Sequence, residues 1–483
     1  MTIAAGDEEA SRAGYLDRRR RHWDAVAQSL SGSRAPRAPA GYHRRLADVY
    51  RFLVPPGSRV VELGCGEGDL LAALSPAEGV GVDFSPAMLA RAREKHPTLK
   101  FVESAVEDFA PGETFDVVIL SDIVNELWDA QAILDRVREL CRPETRVILN
   151  AFSRLWQVPL RAARRAGLAR PLLEQNWFAP DDLENLLYLT GFETIRRWTE
   201  VLWPVATPLW DGFANRFLVR WWPFRWMGLT NFLLARLQPA PRAATGAPRV
   251  SVVVPARNEA GNIGAILRRT PEMGSGTELI FVEGHSRDDT WGEIERQTAG
   301  RPGCVALRQS GNGKGDAVRA GFAVATGDVV MILDADLTVP PEDLPRFLEA
   351  LTAGRGEFAN GVRLVYPMER RAMRFFNLVA NKAFGLAFSW VLGQKIKDTL
   401  CGTKVMWKYD YERLAAQRGY FGDFDPFGDF DLLFGAARLN LRIVDVPVRY
   451  RERTYGTTNI RRWREGWMLL RMLAFAARRL KFS

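Results

Sequence analysis

The chain has 483 residues, of which 47% are hydrophobic and 25% are charged. This composition is typical of a folded globular protein and excludes a largely disordered one. The length exceeds one typical core, so two domains are expected. The net charge of +9 predicts an anionic partner, and charge alone does not choose between nucleic acid and a lipid surface.

Cysteine, histidine and apolar patterns narrow the class further. The four cysteines lie far apart and form no C-x-x-C pair, which disfavours a disulfide framework or zinc site and fits a reducing cytoplasm. The four histidines do not have the spacing of metal ligands, so we expect no metal site built from histidine. Met1–Arg12 has acids and no apolar core, so we expect no signal peptide. Since no apolar stretch has the length of a membrane span, we expect a soluble protein with some membrane-surface contact.

The first part of the chain begins with a basic segment and continues into strand–helix alternation. Residues 1–45 form a basic helical extension containing the run Arg18–Arg21, which we interpret as a solvated helix rather than a nucleic-acid arm. Apolar strands then alternate with amphipathic helices, which predicts a parallel sheet covered on both faces. The predicted strands are Arg59–Leu63, Gly79–Val82, Phe101–Val102, Asp116–Leu120 and Arg146–Asn150.

A composition change separates two halves. The Pro- and Ala-rich stretch from Gln238 to Pro248 reads as a linker, and strand–helix alternation restarts at Val250–Val254. We therefore predict domains at 46–238 and 249–483 joined by residues 239–248. Just before the linker the sequence is dense in tryptophan, which is more often core or interdomain surface than a lipid or aromatic-substrate site. These tryptophans are Trp198, Trp203, Trp210, Trp221, Trp222 and Trp226.

A glycine-rich turn follows the first strand, in the sequence VVELGCGEGDLL. Its glycines allow a sharp turn and close approach of a ligand, and an acid at the end of the next strand, Asp83, suits ribose hydroxyls. The spacing is G-x-G-x-G, and the turn carries Glu67 and Asp69. Those carboxylates repel a pyrophosphate but suit the ammonium group of a methionine moiety.

On these motifs, residues 46–238 resemble class I S-adenosylmethionine-dependent methyltransferases, which have a Rossmann-like fold. The resemblance implies S-adenosylmethionine as cofactor, with Glu62 and the glycine turn at its methionine end and Asp83 at its ribose. It implies an adenine-binding loop at residues 105–108, and strands at Phe192–Trp203 and Asn231–Leu237. The implied cofactor-binding residues are Glu62, Gly64, Gly66, Gly68, Asp83, Val106, Glu107 and Ser121.

The methyl acceptor is less defined by the sequence. After the fourth strand comes SDIVNELWD, in which polar and aromatic side chains are candidates for an acceptor pocket. The alternative is ordinary structure, with Asp122 capping a helix and Trp128 packing in the core. The candidate residues are Asp122, Asn125, Glu126 and Trp128.

In the second half, several strands are followed by polar loops: VSVVVPARNE, FVEGHS and VVMILDADLT, with the basic loop GNGKGDAVRAGF between the last two. Asp334 and Asp336 stand two residues apart at the end of an apolar strand, separated by the small Ala335. Alternate residues of a strand face one side, so we expect the two carboxylates to converge. Such oxygens hold Mg²⁺ or Mn²⁺ together with substrate phosphates, and the metal neutralises a departing nucleoside diphosphate.

Residues 249–483 resemble family 2 glycosyltransferases of the GT-A fold. The resemblance implies a nucleotide-sugar donor, with Asp334 and Asp336 holding metal and donor. The implied donor-binding residues are Pro255, Arg257, Asn258, Glu259, Glu283, Lys314, Asp316, Asp334, Ala335 and Asp336. The branch it resembles is that of dolichol-phosphate mannose synthases and bacterial polyprenyl-phosphate glycosyltransferases. The segments that carry this are GKGDAVRAGFAVATGD, KDTLCGTKVMW with Asp398 and Gly402, FGDFDLLFGAARL, and VPVRYRERTYGTTN with Arg453, Gly456 and Thr458, where Asn459 replaces a lysine.

The two candidate acceptors make different demands. A polyprenyl phosphate is already ionised and needs no general base, and Arg453 would position it through charge-assisted hydrogen bonds. A sugar hydroxyl must lose a proton, for which Asp429 is the candidate base. Either attack, from behind the leaving group, inverts the anomeric centre. Including metal and donor residues, the predicted catalytic set is Asp334, Asp336, Asp429 and Arg453.

Two amphipathic segments, Phe375–Lys397 and Trp463–Lys481, favour the lipid acceptor, because such helices lie in a headgroup region. Packing in the core is the alternative. Basic residues facing anionic lipid also explain the charge, and no nucleic-acid module is found. We thus predict a bifunctional transferase in the cytoplasm, held peripherally at the inner face of the membrane. The alternative is a glycosyltransferase with a soluble or saccharide hydroxyl acceptor, whose N-terminal domain binds S-adenosylmethionine only as a sensor or scaffold.

Overall fold

The computed structural model divides into two compact units, residues 1–238 together with 482–483, and residues 239–481. The division falls at the start of the predicted linker, most of which lies outside the described residues. The described residues are 5–30, 38–166, 173–239, 246–365, 375–420, 428–453, 455 and 462–482. Within these ranges no helix combines the length and apolarity needed to cross a bilayer.

The first unit contains a seven-stranded sheet in the order β3-β2-β1-β4-β5-β7-β6. Only β7 runs antiparallel to its neighbours, β5 and β6. The strands are β1 (Arg59–Leu63), β2 (Glu78–Asp83), β3 (Lys100–Glu103), β4 (Phe115–Ser121), β5 (Cys141–Phe152), β6 (Phe192–Glu200) and β7 (Thr230–Leu237). The helices are α1 (Ala5–Leu30), α2 (Ala38–Leu53), α3 (Asp69–Leu74), α4 (Pro86–Lys95), α5 (Ala130–Glu139), α6 (Gln157–Arg165), α7 (Pro180–Leu189) and α8 (Trp210–Arg216).

Both faces of this sheet are buried, as its apolar strands require. Val61 and Val118 pack in a cluster on one face, and Val60 and Val117 pack on the other against α2. Helix α2 buries residues spaced at helical intervals. These are Tyr42, Leu46, Val49, Tyr50 and Leu53. The predicted boundary between residues 45 and 46 therefore falls inside a helix, and the extension is part of the first unit.

The second unit also contains a seven-stranded sheet, in the order β10-β9-β8-β11-β13-β12-β14. Here β13 is the antiparallel strand, between β11 and β12. The strands are β8 (Val250–Ala256), β9 (Thr277–Glu283), β10 (Cys304–Arg308), β11 (Val329–Ile332), β12 (Phe358–Val362), β13 (Lys404–Trp407) and β14 (Ile443–Pro447). The helices are α9 (Ile263–Arg269), α10 (Thr290–Thr298), α11 (Lys314–Val324), α12 (Leu344–Thr352), α13 (Phe375–Leu392), α14 (Lys408–Ala416), α15 (Asp429–Arg438) and α16 (Arg462–Ala476).

The predicted fold class, two α/β domains of mainly parallel strands, is confirmed. In each unit the parallel strands end at one edge of the sheet, so loops that follow different strands meet there. That carboxyl edge positions both candidate sites.

Candidate functional sites

In the first unit, the glycine turn joins β1 to α3 as predicted. Gly64 and Gly68 have φ of +76° and +73°, a region that side-chain-bearing residues rarely adopt. A Cβ on Gly64 would also collide with the Ile123 side chain. The Gly64 N–H donates to the Val82 carbonyl at 2.7 Å, which holds the turn against the end of β2.

Asp83 spans the mouth of this turn. Its Oδ2 accepts the Gly66 N–H and its Oδ1 accepts the Ser85 N–H, both at 2.9 Å. The carboxyl group is buried, and burial raises its pKa despite these backbone donors. Each oxygen keeps a lone pair for a further donor, which is the arrangement a ribose diol needs.

Glu62, in β1, is buried below the turn with 3% of its surface exposed. Its Oε2 accepts no hydrogen bond within the described part of the chain. Burial raises the pKa of Glu62 to about 8; the Leu71 N–H opposes this rise, and the carboxylates of Asp83, Asp69 and Asp122 add to it. Such a group is ready to ionise beside a cationic ligand.

The remaining predicted cofactor residues lie at the same edge of the sheet. Val106 is buried in a 3₁₀ turn, Val106–Asp108, and burial raises the pKa of its neighbour Glu107. Ser121 is the last residue of β4. The structure thus gathers the predicted cofactor residues at the carboxyl ends of β3, β2, β1 and β4, which are neighbours in the sheet, while their contact with a cofactor stays a prediction.

Helix α1 lies over this edge, which the sequence analysis missed. The Trp23 indole donates to Glu126 Oε2 at 2.9 Å, and Asp24 Oδ1 accepts the Ser85 hydroxyl at 2.5 Å. Arg19, within the run we interpreted as solvated, is only 3% exposed and pairs with Glu126 at 3.2 Å. For Arg19 that interpretation is wrong, because its cation neutralises an acid on the β4 side of the edge.

Asp122, the first residue after β4, has a left-handed backbone, with φ of +57°. Its Oδ1 accepts hydrogen bonds from the Tyr42 hydroxyl at 2.7 Å and from the Asn150 side-chain amide at 2.5 Å. The Tyr50 hydroxyl donates to Oδ1 of Asn150 at 2.7 Å. Burial raises the pKa of Asp122 to about 7, although both donors lower it. Non-glycine residues in this backbone region cluster at functional sites.

In the second unit, three strands are also followed by a non-glycine residue with a left-handed backbone. Asn258, His285 and Leu337 follow the adjacent strands β8, β9 and β11, and their φ values are +58°, +56° and +56°. Left-handed backbone at non-glycine residues costs energy and marks loops built for a purpose. The predicted donor-binding acids Glu259, Asp334 and Asp336 lie in these loops, and Glu283 is the last residue of β9.

Arg453 joins two of those loops. Its guanidinium donates to Glu259 Oε1 at 2.7 Å and to Asp336 Oδ2 at 2.9 Å. Burial raises the pKa of Glu259 to about 7; Arg453 opposes that rise and Asp336 reinforces it. Asp336 Oδ1 also accepts the Thr338 N–H at 3.1 Å and hydroxyl at 2.8 Å. Arg453, which we predicted at the acceptor, thus lies against two acids that we predicted to bind the donor.

Lys314, the first residue of α11, pairs with Asp334 at 2.7 Å. Burial favours a raised pKa for Asp334, but the Lys314 ammonium outweighs it and the pKa is lowered. A Cβ on Gly402 would collide with both groups. A larger residue at that position would therefore displace the charged ends of this pair.

Asp334 and Asp336 lie beyond the last residue of β11, Ile332, in a turn. The expectation that strand alternation aims both carboxylates is therefore wrong, because the strand ends first. They are instead directed by their separate cations, Lys314 and Arg453.

The other predicted donor residues mainly hold the loops. The backbone N–H of Asn258 donates to the Ser286 hydroxyl at 3.0 Å, Glu283 accepts the Ser286 N–H at 2.5 Å, and Asp316 accepts the Gly311 N–H at 2.9 Å. Pro255 is within β8, Arg257 is exposed just after it, and Ala335 is buried between the two acids. Their contacts with a donor stay predictions.

Three further features that carried the resemblance have different outcomes. Asp398 is fully buried and forms two hydrogen bonds, of 2.7 and 2.9 Å, with the Arg363 guanidinium, so its role here is to hold β12 to the following segment. Asp429 begins α15, but its side chain lies outside the described residues. Gly456, Thr458 and Asn459 also lie outside them.

Two family models match the chain, one in each unit. Residues 60–144 match the methyltransferase domain family, and residues 251–413 match glycosyl transferase family 2. The matched ranges contain the glycine turn with Asp83 and the cluster of Lys314, Asp334 and Asp336, respectively.

The curated relatives align with the second unit's family. The undecaprenyl-phosphate 4-deoxy-4-formamido-L-arabinose transferase of Edwardsiella ictaluri is 42% identical over 29% of this chain and 46% of its own length. The dolichol-phosphate mannosyltransferase of Pyrococcus furiosus is 35% identical over 24% of this chain and 34% of its own length. The chain thus spans less than half of each of these relatives.

Among solved structures, a SAM-dependent methyltransferase from Thermotoga maritima is 16% identical, with a TM-score of 0.32, over 41% of this chain and 90% of that one. From the family matches and the motifs within them, we conclude that the chain carries an S-adenosylmethionine-dependent methyltransferase domain in its first half and a family 2 glycosyltransferase domain in its second.

Proposed function

We propose that this protein is a bifunctional enzyme that transfers a sugar from a nucleoside-diphosphate donor to a polyprenyl phosphate or related lipid and transfers a methyl group from S-adenosylmethionine. The observation that carries the sugar transfer is the cluster of Lys314, Asp334, Asp336, Arg453 and Glu259 at the carboxyl edge of the second sheet. The named relatives act on lipid phosphates, which supports the same class of acceptor here.

The donor would be held by the chain's own charged groups. Lys314 and Arg453 present N–H donors suited to phosphoryl oxygens. When the sugar–phosphate bond breaks, the diphosphate gathers negative charge, and fixed cations beside it stabilise the transition state. Both cations are held in place by Asp334 and Asp336, so little reorganisation is needed.

A divalent ion fits the same place chemically. Asp334 and Asp336 offer the hard carboxylate oxygens that Mg²⁺ and Mn²⁺ prefer. Within the described ranges, no three His, Cys, Asp or Glu side chains come together as a metal site, so phosphate oxygens of the donor would have to complete the coordination. The ion would supply additional positive charge to the leaving diphosphate.

The acceptor determines whether a base is needed. A polyprenyl phosphate is ionised at neutral pH, and its oxygen attacks the anomeric carbon opposite the diphosphate, which inverts that centre. A hydroxyl acceptor would require a base to take its proton. Asp429, at the start of α15, is the candidate for that role in the alternative proposal.

The release of nucleoside diphosphate tests these proposals directly. We expect release from a panel of nucleotide sugars to require both undecaprenyl phosphate and a divalent cation. We expect Asp429→Asn to keep most of the wild-type rate, within about three-fold, because an ionised acceptor gains little from a base.

Two outcomes of that assay would contradict the lipid proposal. Sustained turnover with a soluble saccharide and no lipid phosphate would favour the hydroxyl acceptor. A loss of at least about a hundred-fold in Asp429→Asn would assign that residue as the base. Full activity after exhaustive chelation would remove the metal from the mechanism.

The methyl transfer is supported by carboxyl groups at the carboxyl edge of the first sheet. Burial raises the pKa values of Glu62, Asp83 and Asp122. Neighbouring carboxylates add to the rise, those of Asp83 and Asp122 at Glu62 and that of Glu126 at both aspartates, so a cation there is favoured. Bound S-adenosylmethionine supplies a methyl group on a positively charged sulphur. Glu62 would face the ammonium group of its methionine end and Asp83 would accept its ribose hydroxyls, whereas Asp122 lies on the acceptor side.

The pH dependence of cofactor binding follows from these groups. Near pH 7 the Glu62 carboxyl group, with its pKa of about 8, is mostly protonated in the free protein. A cation beside it lowers that pKa, so binding releases a proton and the affinity rises as the pH rises. We expect release of about one proton at pH 7, and affinity that rises up to about ten-fold per pH unit between about 6 and 7.5.

Calorimetry in buffers of different ionisation enthalpy measures this proton release. Glu62→Gln has the same shape and no proton to lose, so its release should fall to that of the remaining groups. Unchanged release in Glu62→Gln would show that this carboxyl group does not face the cation.

A sensor or scaffold is the second candidate for the first unit. Methyl-label transfer to candidate acceptors separates it from an enzyme, since tight binding without turnover is the property of a sensor. We also propose a peripheral location at the cytoplasmic face of a membrane, which the lipid acceptor requires and which the four free cysteines fit. Two parts of the chain were candidates for lipid contact: α13, which falls within Phe375–Lys397, and α16, which falls within Trp463–Lys481.

A further inference from the structure

The connection between β6 and β7 is much longer than an antiparallel pair requires. Two such strands can be joined by a tight turn, whereas here residues 201–229 intervene and include α8. We call residues 203–227 the aromatic insertion. Large apolar side chains that are usually buried are exposed along its length. They are Trp203, Val205, Leu209, Trp210, Phe213, Phe217, Trp221, Trp222, Phe224, Trp226 and Met227.

The inner side of the aromatic insertion is firmly built. Ala214, Asn215 and Val219 are buried, and the buried Arg220 pairs with Glu200 at 2.6 Å. Glu200 is itself buried at the end of β6, and Arg45 also pairs with it at 3.2 Å. The guanidinium groups lower the pKa of Glu200 against the effect of burial. A buried ion pair of this kind is costly to break, so the outer aromatic residues are displayed on a fixed support.

Helix α6 extends this surface. The Trp156 indole, just before α6, donates to the Met227 carbonyl at 2.8 Å, so the two segments are adjacent. Leu155 and Val158 are 67% and 71% exposed. Between residues 153 and 166 there are four arginines and no acid.

The charge of the combined surface is strongly one-sided. The aromatic insertion contains three arginines, and Asp211 is its single acid. Arg220 is buried in its ion pair, but Arg225 is exposed, with its guanidinium 5.9 Å from the Trp226 ring centre. Both segments therefore carry exposed basic residues as well as tryptophan. The exposed basic residues are Arg154, Arg161, Arg165, Arg216 and Arg225.

We propose that the aromatic insertion and α6 together bind the surface of an anionic lipid bilayer. Tryptophan is enriched where a protein meets lipid headgroups, because its ring is apolar and its N–H is polar. Arginines at the same level meet lipid phosphates. This surface belongs to the methyltransferase unit, and the inference rests on the proposed membrane association, which it extends by naming the contact.

Vesicle binding tests the surface. We expect the wild-type protein to sediment with vesicles of equal parts phosphatidylglycerol and phosphatidylcholine. The double variant Trp222→Ser/Trp226→Ser, which removes side chains that are 68% and 60% exposed, should bind at least about ten-fold more weakly. Arg161→Gln/Arg165→Gln should weaken binding to these vesicles about ten-fold while leaving binding to pure phosphatidylcholine unchanged.

Trp467→Ser tests the other candidate contact, because Trp467 is 65% exposed on α16 of the other unit, within the segment Trp463–Lys481. We expect it to bind vesicles within about three-fold of wild type. Unchanged cofactor affinity and thermal unfolding in each variant would show that the fold is intact.

The outcomes separate the two proposals. If wild type does not bind vesicles, the membrane association itself fails. If wild type binds and only Trp467→Ser weakens it, the association stands and this surface is wrong. If the double variant instead converts a dimer to a monomer in gel filtration, the aromatic insertion contacts a second copy of the chain, which also overturns the inference.

Discussion

Replacing Asp336 by asparagine should reduce sugar transfer by about a thousand-fold or more while leaving S-adenosylmethionine affinity unchanged. The carboxylate accepts one arm of Arg453 at 2.9 Å and is fixed by Thr338. The carboxylate's negative charge holds Arg453 and is proposed to bind a divalent ion. An amide of the same size has no such charge. Nucleoside diphosphate release and cofactor calorimetry measure the two effects on the same preparation.

Asp289→Asn is a suitable control for this variant. Asp289 is also an acid of the second unit, but its partner is the surface residue Arg296 at 2.7 Å, and such pairs contribute little to stability. Its activity should match the wild type. Near-normal transfer by Asp336→Asn would refute the assigned role, and loss of cofactor binding in that variant would show that the two units do not act independently.

Replacing Asp83 by alanine should weaken S-adenosylmethionine binding by at least about a hundred-fold. The change removes the proposed acceptor of two ribose hydroxyls and leaves the N–H groups of Gly66 and Ser85 without their carboxylate. Sugar transfer by the second unit should be unaffected. Calorimetry gives the affinity, and nucleoside diphosphate release gives the transfer rate.

Two further variants guard against a simple folding defect. Asp83→Asn keeps one acceptor oxygen and should lose less affinity than alanine. Glu78→Gln alters the exposed acid at the opposite end of β2, where it pairs with Arg59, and should bind the cofactor normally. Wild-type affinity in a folded Asp83→Ala protein would be incompatible with a ribose contact.

Local patterns in the sequence were sufficient for the strands and the two folds. Arg59–Leu63 was predicted with the same ends that the structure has, because an apolar run is bounded there by a turn and glycines. The longer β5, Cys141–Phe152, was shortened in the prediction to its apolar centre. Hydrophobic periodicity and the turn residues that bound an apolar run are properties of neighbouring residues, and secondary structure depends mainly on such local properties.

Contacts between distant parts of the chain were not predictable in this way. Arg453 meets Glu259 across 194 positions, and nothing local to either residue specifies the partner. The position of α1 escaped prediction for the same reason, since its arginines look solvated in sequence. The turn at Asp334 was misjudged because the end of β11 depends on pairing with β8 and β13.

The placement of α1 has a mechanical consequence. This single helix contacts three separate places at the carboxyl edge of the first sheet. Arg12 pairs with Asp108, Asp24 accepts a hydrogen bond at the start of α4, and Trp23 donates to Glu126. Because a helix moves as a rigid body, α1 cannot move away from one of these places and keep its contacts with the other two. We therefore expect that a nucleoside bound beneath α1 would enter and leave through a single opening event, in which all three contacts are released together.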